Sequence, residues 1–210
     1  MIGVAQIVGW IGNEVLDAAW SEAMRRIMKC RAETSRNMLL EELERGTALM
    51  MDIEDEDEAA AMVFEYANAA EHGAARRNLR MLAQILVGAL VTPPIYASEF
   101  LRWSRIIADL TREEIIVLAH FYRANKEPGF MDTKLPDYRG LQKRVLLELQ
   151  RLGVMDKIID LTSTLGALER TGLVVYSVAG FGGAYHRITP KLEKLMALIR
   201  IEDVLAEPNR

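Results

Sequence analysis

The stretch from Asp160 to Arg200 constrains the fold more than any other, because it carries several local signals in a fixed order. It reads as a helix (DLTSTLGALERTG), a strand rich in β-branched residues (LVVYSV), a glycine-rich turn (AGFGG), a second strand (AYHRI) and a further helix (TPKLEKLMALIR). Two such strands joined by a glycine-rich turn predict a hairpin. Thr189 followed by Pro190 is typical of a capped helix start. We therefore expect a helix, a hairpin and a closing helix.

Two further helices precede this stretch. Arg139 to Leu152 is amphipathic and predicts a helix, and Gly153 after it predicts a turn. The helix already described follows this turn, and the side chain of Asp160 is predicted to cap it, which gives the order helix, turn, helix. Upstream, Thr111 and Glu114 have the spacing of a capping box, which predicts a helix start there.

These joins resemble those of the winged-helix superfamily: LERTGLV at 168–174 between the second helix and the hairpin, and YHRITP at 185–190 before the closing helix. The resemblance covers about 139–201, with 111–124 as the first helix. It implies the fold, and it leaves both DNA binding and protein contact open, because winged helices do both. The order of a long helix, an apolar helix, an LT-x-x-E helix and a winged tail also resembles the Abi-alpha type of bacterial proteins, which implies a link to abortive phage infection.

The fold class predicted is mostly α, with a multi-helix region at 1–110 and a winged-helix-like domain with one β-hairpin at 111–210. In the first region, hydrophobic periodicity predicts a helix over 2–30, a second helix capped by Thr34 or Ser35, and a long helix over about 56–91 that breaks at Pro93-Pro94.

The long helix carries a stripe of small residues between Met62 and Ala89, which favours close packing of another helix. This stripe motivates the prediction that the helical region self-associates. The acidic run Asp52–Glu58 lacks the glycine and the terminal glutamate of a calcium loop in register, so we interpret it as the acidic start of the helix.

A basic cluster interrupts the same helix at Arg76, Arg77 and Arg80. Such a cluster is either an anion site or a solvated or salt-bridged face, and the second interpretation is favoured.

Charge bears on the function of the tail. Residues 1–110 carry 11 Lys+Arg and 17 Asp+Glu, whereas residues 111–210 carry 15 and 13, so only the second half has an electrostatic case for a polyanion. The residues predicted to contact DNA or another partner are Arg139, Lys143, Arg144, Lys157, Thr162, Ser163, Arg170, Phe181 and Arg187. Because Arg170 lies at the wrong end of its helix for base contact and Phe181 is an aromatic wing tip, protein contact is favoured over DNA.

No catalytic, cofactor or metal motif is recognised. The three histidines, His72, His120 and His186, lie in different elements, and Cys30 is the single cysteine, so we expect no enzymatic activity, no cofactor and a reducing, cytoplasmic location. The apolar stretch Met81–Ala97 invites a membrane hypothesis, but Gln84, Thr92 and the proline pair favour a buried helix instead.

The leading hypothesis is thus a non-enzymatic bacterial protein that acts by protein contact and self-association. A DNA-binding regulator is the first alternative, and a membrane-active helical protein is the second.

Overall fold

The computed structural model describes residues 14–46, 56–91, 96–127, 137–179 and 183–206. This part of the chain contains nine helices and one hairpin: α1 (Glu14–Gly46), α2 (Glu56–Glu71), α3 (Arg76–Val91), α4 (Ala97–Asp109), α5 (Arg112–Lys126), α6 (Tyr138–Arg151), α7 (Ile158–Glu169), β1 (Val174–Ala179), β2 (Gly183–Ile188), α8 (Pro190–Met196) and α9 (Ile201–Ala206). The predicted fold class, mostly α with one hairpin near the C-terminus, is confirmed.

The hairpin is antiparallel, with Val174 opposite Ile188 and Ala179 opposite Gly183. β1 packs on α7 and β2 on α6, so the hairpin lies against both helices that precede it. The turn at 180–182, which includes Phe181, lies outside the described residues. The predicted order of helix, turn, helix, hairpin and closing helix is therefore present, and membership of the winged-helix superfamily stays a prediction.

Two predicted caps are confirmed in the tail. The Thr111 hydroxyl accepts from the Glu114 amide, the Glu114 carboxylate accepts from the Thr111 amide, and α5 starts at the next residue. Thr189 accepts from the Leu192 amide with Pro190 at the first helical position. The predicted cap at Asp160 is wrong, because α7 begins two residues earlier, at Ile158, and Asp160 lies inside its first turn. An acidic side chain there still interacts favourably with the helix dipole.

Thr34 and Ser35 were predicted to cap a helix, and this prediction is wrong as well. Both lie inside α1, where the Thr34 hydroxyl donates to the Cys30 carbonyl and the Ser35 hydroxyl to the Ala32 carbonyl. Bonding back to the preceding turn leaves a helix continuous, whereas a cap requires an extended backbone. Residues 2–13 of the predicted first helix lie outside the described residues.

The predicted long helix over 56–91 is two helices, α2 and α3. Gly73, with φ of +95°, ends α2. Its amide donates to the Ala70 carbonyl and the Ala74 amide donates to the Ala69 carbonyl, the pair of bonds of a Schellman motif. The glycine in the sequence His72-Gly73 signalled this stop, but the small-residue stripe continues past it. Pro93 and Pro94 lie outside the described residues.

The small-residue stripe is covered within the chain. α1 packs on α2 and α3, α4 packs on the same two helices, and Met62, Ala70 and Ala89 are buried. Met81 to Leu86 is buried at every position, so this part of the apolar stretch Met81–Ala97 is protein core. No helix in the described ranges is both long enough and apolar enough to cross a bilayer.

Candidate macromolecular interface

Helix α7 is the second helix of the helix-turn-helix order that the sequence predicted, and its two faces differ sharply. Leu161, Leu165 and Leu168 are buried beneath it, where α5 and β1 pack. Its first turn carries two exposed isoleucines, Ile158 at 55% and Ile159 at 68% exposure. The spacing of the leucines fixes this orientation, because residues three and four apart share one face of a helix.

Further apolar side chains are exposed next to this helix start. Leu147 and Leu152 lie exposed in the C-terminal half of α6 and just after it. The Gln150 side chain donates to the Asp156 carbonyl at 2.7 Å, which holds the α6–α7 connector against α6. The exposed apolar side chains on either side of this connector, Leu147, Leu152, Ile158 and Ile159, are here called the α6–α7 patch.

The predicted polar contact residues of α7 are partly used inside the helix. The Thr162 hydroxyl donates to the Ile158 carbonyl at 2.9 Å, so its proton is engaged, whereas Ser163 is exposed. Arg170 is exposed at the C-cap, the end of the helix that faces away from bases in a helix-turn-helix protein.

The predicted cations of the tail do not form one cluster. Arg139 and Lys143 are exposed on α6, and Arg187 is exposed on β2. Arg144 pairs with Glu127 at 2.6 Å across the segment that joins α5 to α6. Lys157 precedes α7 with an extended backbone and is exposed. The exposed cations of the predicted set are thus spread over α6, the α6–α7 connector and β2.

The hairpin is anchored by a polar pair beneath β2. His186, which is 5% exposed, accepts a hydrogen bond at Nδ1 from the Gln142 side chain at 3.0 Å, and its Nε2 lies 3.5 Å from the Glu169 carboxylate. Burial lowers the pKa of His186, and the Glu169 carboxylate opposes that shift. The Tyr185 ring stacks on Tyr138 at 4.7 Å between centroids. These contacts fix β2 on α6, while Val175, Tyr176 and Val178 of β1 are exposed.

The basic cluster of α3 is engaged inside the chain. Arg80 is 8% exposed and pairs with Glu41 at 2.8 Å and with Glu42 at 3.2 Å. The Arg77 Nε donates to the Val204 carbonyl of α9 at 2.9 Å. Arg76 is exposed at the first position of α3. This arrangement matches the salt-bridged face, the alternative that the sequence favoured over an anion site.

Glu42 is the centre of that network. It is 1% exposed and accepts from Arg80, from Gln84 at 3.5 Å and from Arg200. The Gln84 side chain in turn accepts from the Arg200 amide at 2.9 Å. The network therefore joins α1, α3 and the segment before α9, and so connects the first half of the chain to its C-terminal end.

No group of three or more His, Cys, Asp or Glu side chains within the described ranges is placed to hold a metal ion. His120 is half-buried on α5, where burial lowers its pKa. Cys30 is exposed on α1.

Sequence reasoning missed the two isoleucines and a groove between α1 and α2. Ile158 and Ile159 precede the helix start that the sequence predicted at Asp160, so no position on a helix was assigned to them, whereas the helix begins at Ile158. The groove is lined by α1 and α2 side chains, among them Met28, Leu39 and Val63. It depends on tertiary packing, and no local signal announces it.

Comparisons of the chain with family models, with curated proteins and with solved structures find no match.

Proposed function

We propose that this chain is a non-enzymatic cytoplasmic protein whose C-terminal tail acts by contact with another protein through the α6–α7 patch. The observation that carries the proposal is the 68% exposure of Ile159 in the first turn of α7. A helix-turn-helix that reads DNA uses this turn to contact base edges, which present hydrogen-bond donors and acceptors. An isoleucine offers neither, whereas clustered exposed apolar residues mark protein contact sites.

The buried side of α7 supports the same conclusion. Leu161, Leu165 and Leu168 already fill its core face, so the isoleucines are not needed for packing. Burying one isoleucine at an interface contributes about 1.5–3 kcal/mol. The gain applies only when a partner covers these side chains, since they remain in water in the isolated chain.

Site-specific photo-cross-linking in cells tests the proposal. A photoreactive residue at Ile159 is expected to cross-link to a protein, and the yield is expected to fall when Ile158→Ser and Leu152→Ser are added. The same residue at Arg105, exposed on α4, is the matched control and is expected to give no such product. A nuclease-sensitive product at Ile159, or equal yields at both positions, would overturn the proposal.

The second candidate is a DNA-binding regulator, and it is supported by the exposed cations Arg139, Lys143, Lys157 and Arg187 of the tail. It predicts binding that weakens steeply with salt, because each phosphate contact releases counterions. Arg144 is paired with Glu127. A stable phosphate footprint needs more cations than the other exposed members of the predicted set provide.

Membrane action loses the support that Met81–Ala97 gave it, since Met81 to Leu86 is buried. Self-association loses the support of the small-residue stripe, since α1 and α4 cover it. The groove between α1 and α2 bears on self-association instead. The proposal also includes a link to phage defence, which rests on the sequence resemblance to the Abi-alpha type. The proposed cytoplasmic location rests on the single cysteine.

A further inference from the structure

The groove between α1 and α2 is apolar at its floor and open to solvent at its mouth. Its volume is about 630 Å³, and it runs along α1 from Arg25 to Leu39, a length of roughly 20 Å at 1.5 Å per residue. The apolar side chains that line it are Met28, Ala32, Leu39, Val63, Ala67 and Ala70. The Tyr66 hydroxyl donates to the Ser35 carbonyl at 2.8 Å and so joins the two helices at this floor.

The rim of the groove is cationic. Arg25, Lys29 and Arg36 line it, with Glu71 as the one carboxylate of the lining. Arg25 pairs with Glu22 on the same helix, which is a weak interaction because both side chains face solvent. An acidic occupant of the groove would be attracted to these cations, although this half of the chain carries a net negative charge.

Exposed apolar side chains extend the groove on both helices. Phe64 is 72% exposed and Val63 43% on α2, and Leu40 is 42% exposed on α1. An apolar surface of this extent with a charged rim is typical of a protein contact site.

The chain itself contains a segment of complementary chemistry. The run Asp52–Glu58 (DIEDEDE) has six carboxylates in seven residues, and Leu49, Met50 and Met51 come just before it. Glu56 and Asp57 are exposed in the first turn of α2. Because they belong to the same rigid helix as the groove wall and lie about ten residues from its middle, roughly 15 Å away, they cannot fold back onto it. A second copy has no such restriction.

We propose that the chain forms a two-fold homodimer in which the acidic start of α2 in each copy, where Glu56 and Asp57 are exposed, faces the cationic groove of the other. A two-fold axis makes both contacts at once, since the same two surfaces meet twice. Leu40, exposed on α1 directly after the groove residue Leu39, adds an apolar side chain that such a dimer can bury. This interface is separate from the α6–α7 patch and does not depend on the tail's partner.

A charge-swap experiment tests the dimer. The first variant carries Arg25→Glu, Lys29→Glu and Arg36→Glu, and the second carries Asp55→Lys, Glu56→Lys and Asp57→Lys. Each variant alone places like charges together at both contacts, so its dimer is expected to weaken at least tenfold. In an equimolar mixture both contacts join opposite charges, so a heterodimer is expected.

Sedimentation velocity at tens of micromolar chain measures the result, and circular dichroism checks that each variant is folded. A control with Arg102→Glu, Arg105→Glu and Arg112→Glu changes charge equally at exposed positions outside the groove and is expected to stay dimeric. A monomeric wild type, a dimeric rim variant, or a mixture that stays monomeric would overturn the proposal. None of these results affects the cross-link at Ile159, so the two proposals fail separately.

Discussion

Helices α3 and α7 contrast in how their most conspicuous side chains are used. α3 carries the basic cluster and the most apolar run of the chain, and these side chains are mainly used internally: Arg80 pairs with Glu42, Arg77 contacts α9, and Met81 to Leu86 is core. α7 is unremarkable in sequence, yet its first turn places Ile158 and Ile159 in water. A conspicuous sequence feature can thus serve stability alone, and exposure after folding indicates which residues are available for contact.

The largest effect is expected at the buried pair of α1 and α3. Glu42→Ala leaves Arg80 buried without its buried carboxylate partner, and removing one partner of such a pair costs about 3–5 kcal/mol. Urea denaturation of the variant measures the loss. Glu33→Ala, an exposed glutamate of the same helix, is the control and is expected to change stability by less than about 0.5 kcal/mol.

A double variant refines this prediction. Glu42→Leu with Arg80→Met removes both charges, so most of the stability lost in Glu42→Ala should return. A double variant as unstable as the single one would show that Glu42 acts mainly through Arg200 and Gln84, which also donate to it.

The second prediction compares neighbours on α7. Leu161→Ala removes a fully buried side chain and should cost about 2–5 kcal/mol, whereas Ile159→Ala should change the free energy of unfolding by less than about 0.5 kcal/mol. The same denaturation curves give both values. A large loss for Ile159→Ala would mean that this residue packs in the isolated chain, and the proposed patch would lose its basis.

The third prediction compares two helix starts. Thr111→Ala removes both the side-chain acceptor and its capping box, at a cost of about 1 kcal/mol. Asp160→Ala removes no cap hydrogen bond, so its cost should be smaller. If the two losses are equal in thermal denaturation, Asp160 contributes something that the described contacts do not include.

The smallest effect is a pH dependence from His186. Because burial lowers its pKa in the folded state, the unfolded chain binds the proton more readily. Its contribution is therefore fully present above the unfolded pKa of about 6.5 and is lost as the pH falls toward the lowered value. Between pH 7.5 and pH 5.5, the urea concentration at the midpoint of unfolding should fall less in His186→Gln than in the wild type. His120, whose pKa is also lowered, accounts for a remaining slope.

Local signals predicted much of the fold and little of the candidate surfaces. The capping box at Thr111, the Thr189-Pro190 start and the hairpin depend on neighbours in sequence, and each was found where it was predicted. The break at Gly73 was missed because one hydrophobic stripe runs through both helices, although the glycine itself was visible.

The candidate surfaces depend on long-range packing. Whether Arg80 is an anion ligand or a salt-bridge partner is decided by Glu42, which lies 38 residues earlier in the chain. The exposure of Ile159 is decided by where α7 begins, and a two-residue error at Asp160 concealed it. Both depend on contacts or boundaries that sequence periodicity does not define.

We infer that α7 presents a surface for protein and not for DNA. The most direct test is fluorescence anisotropy of labelled duplex DNA, titrated with the wild-type chain from low to physiological salt. We expect no saturable, salt-sensitive rise in anisotropy. Salt-sensitive binding that disappears when Arg139, Lys143 and Arg144 are replaced together by glutamine would contradict it.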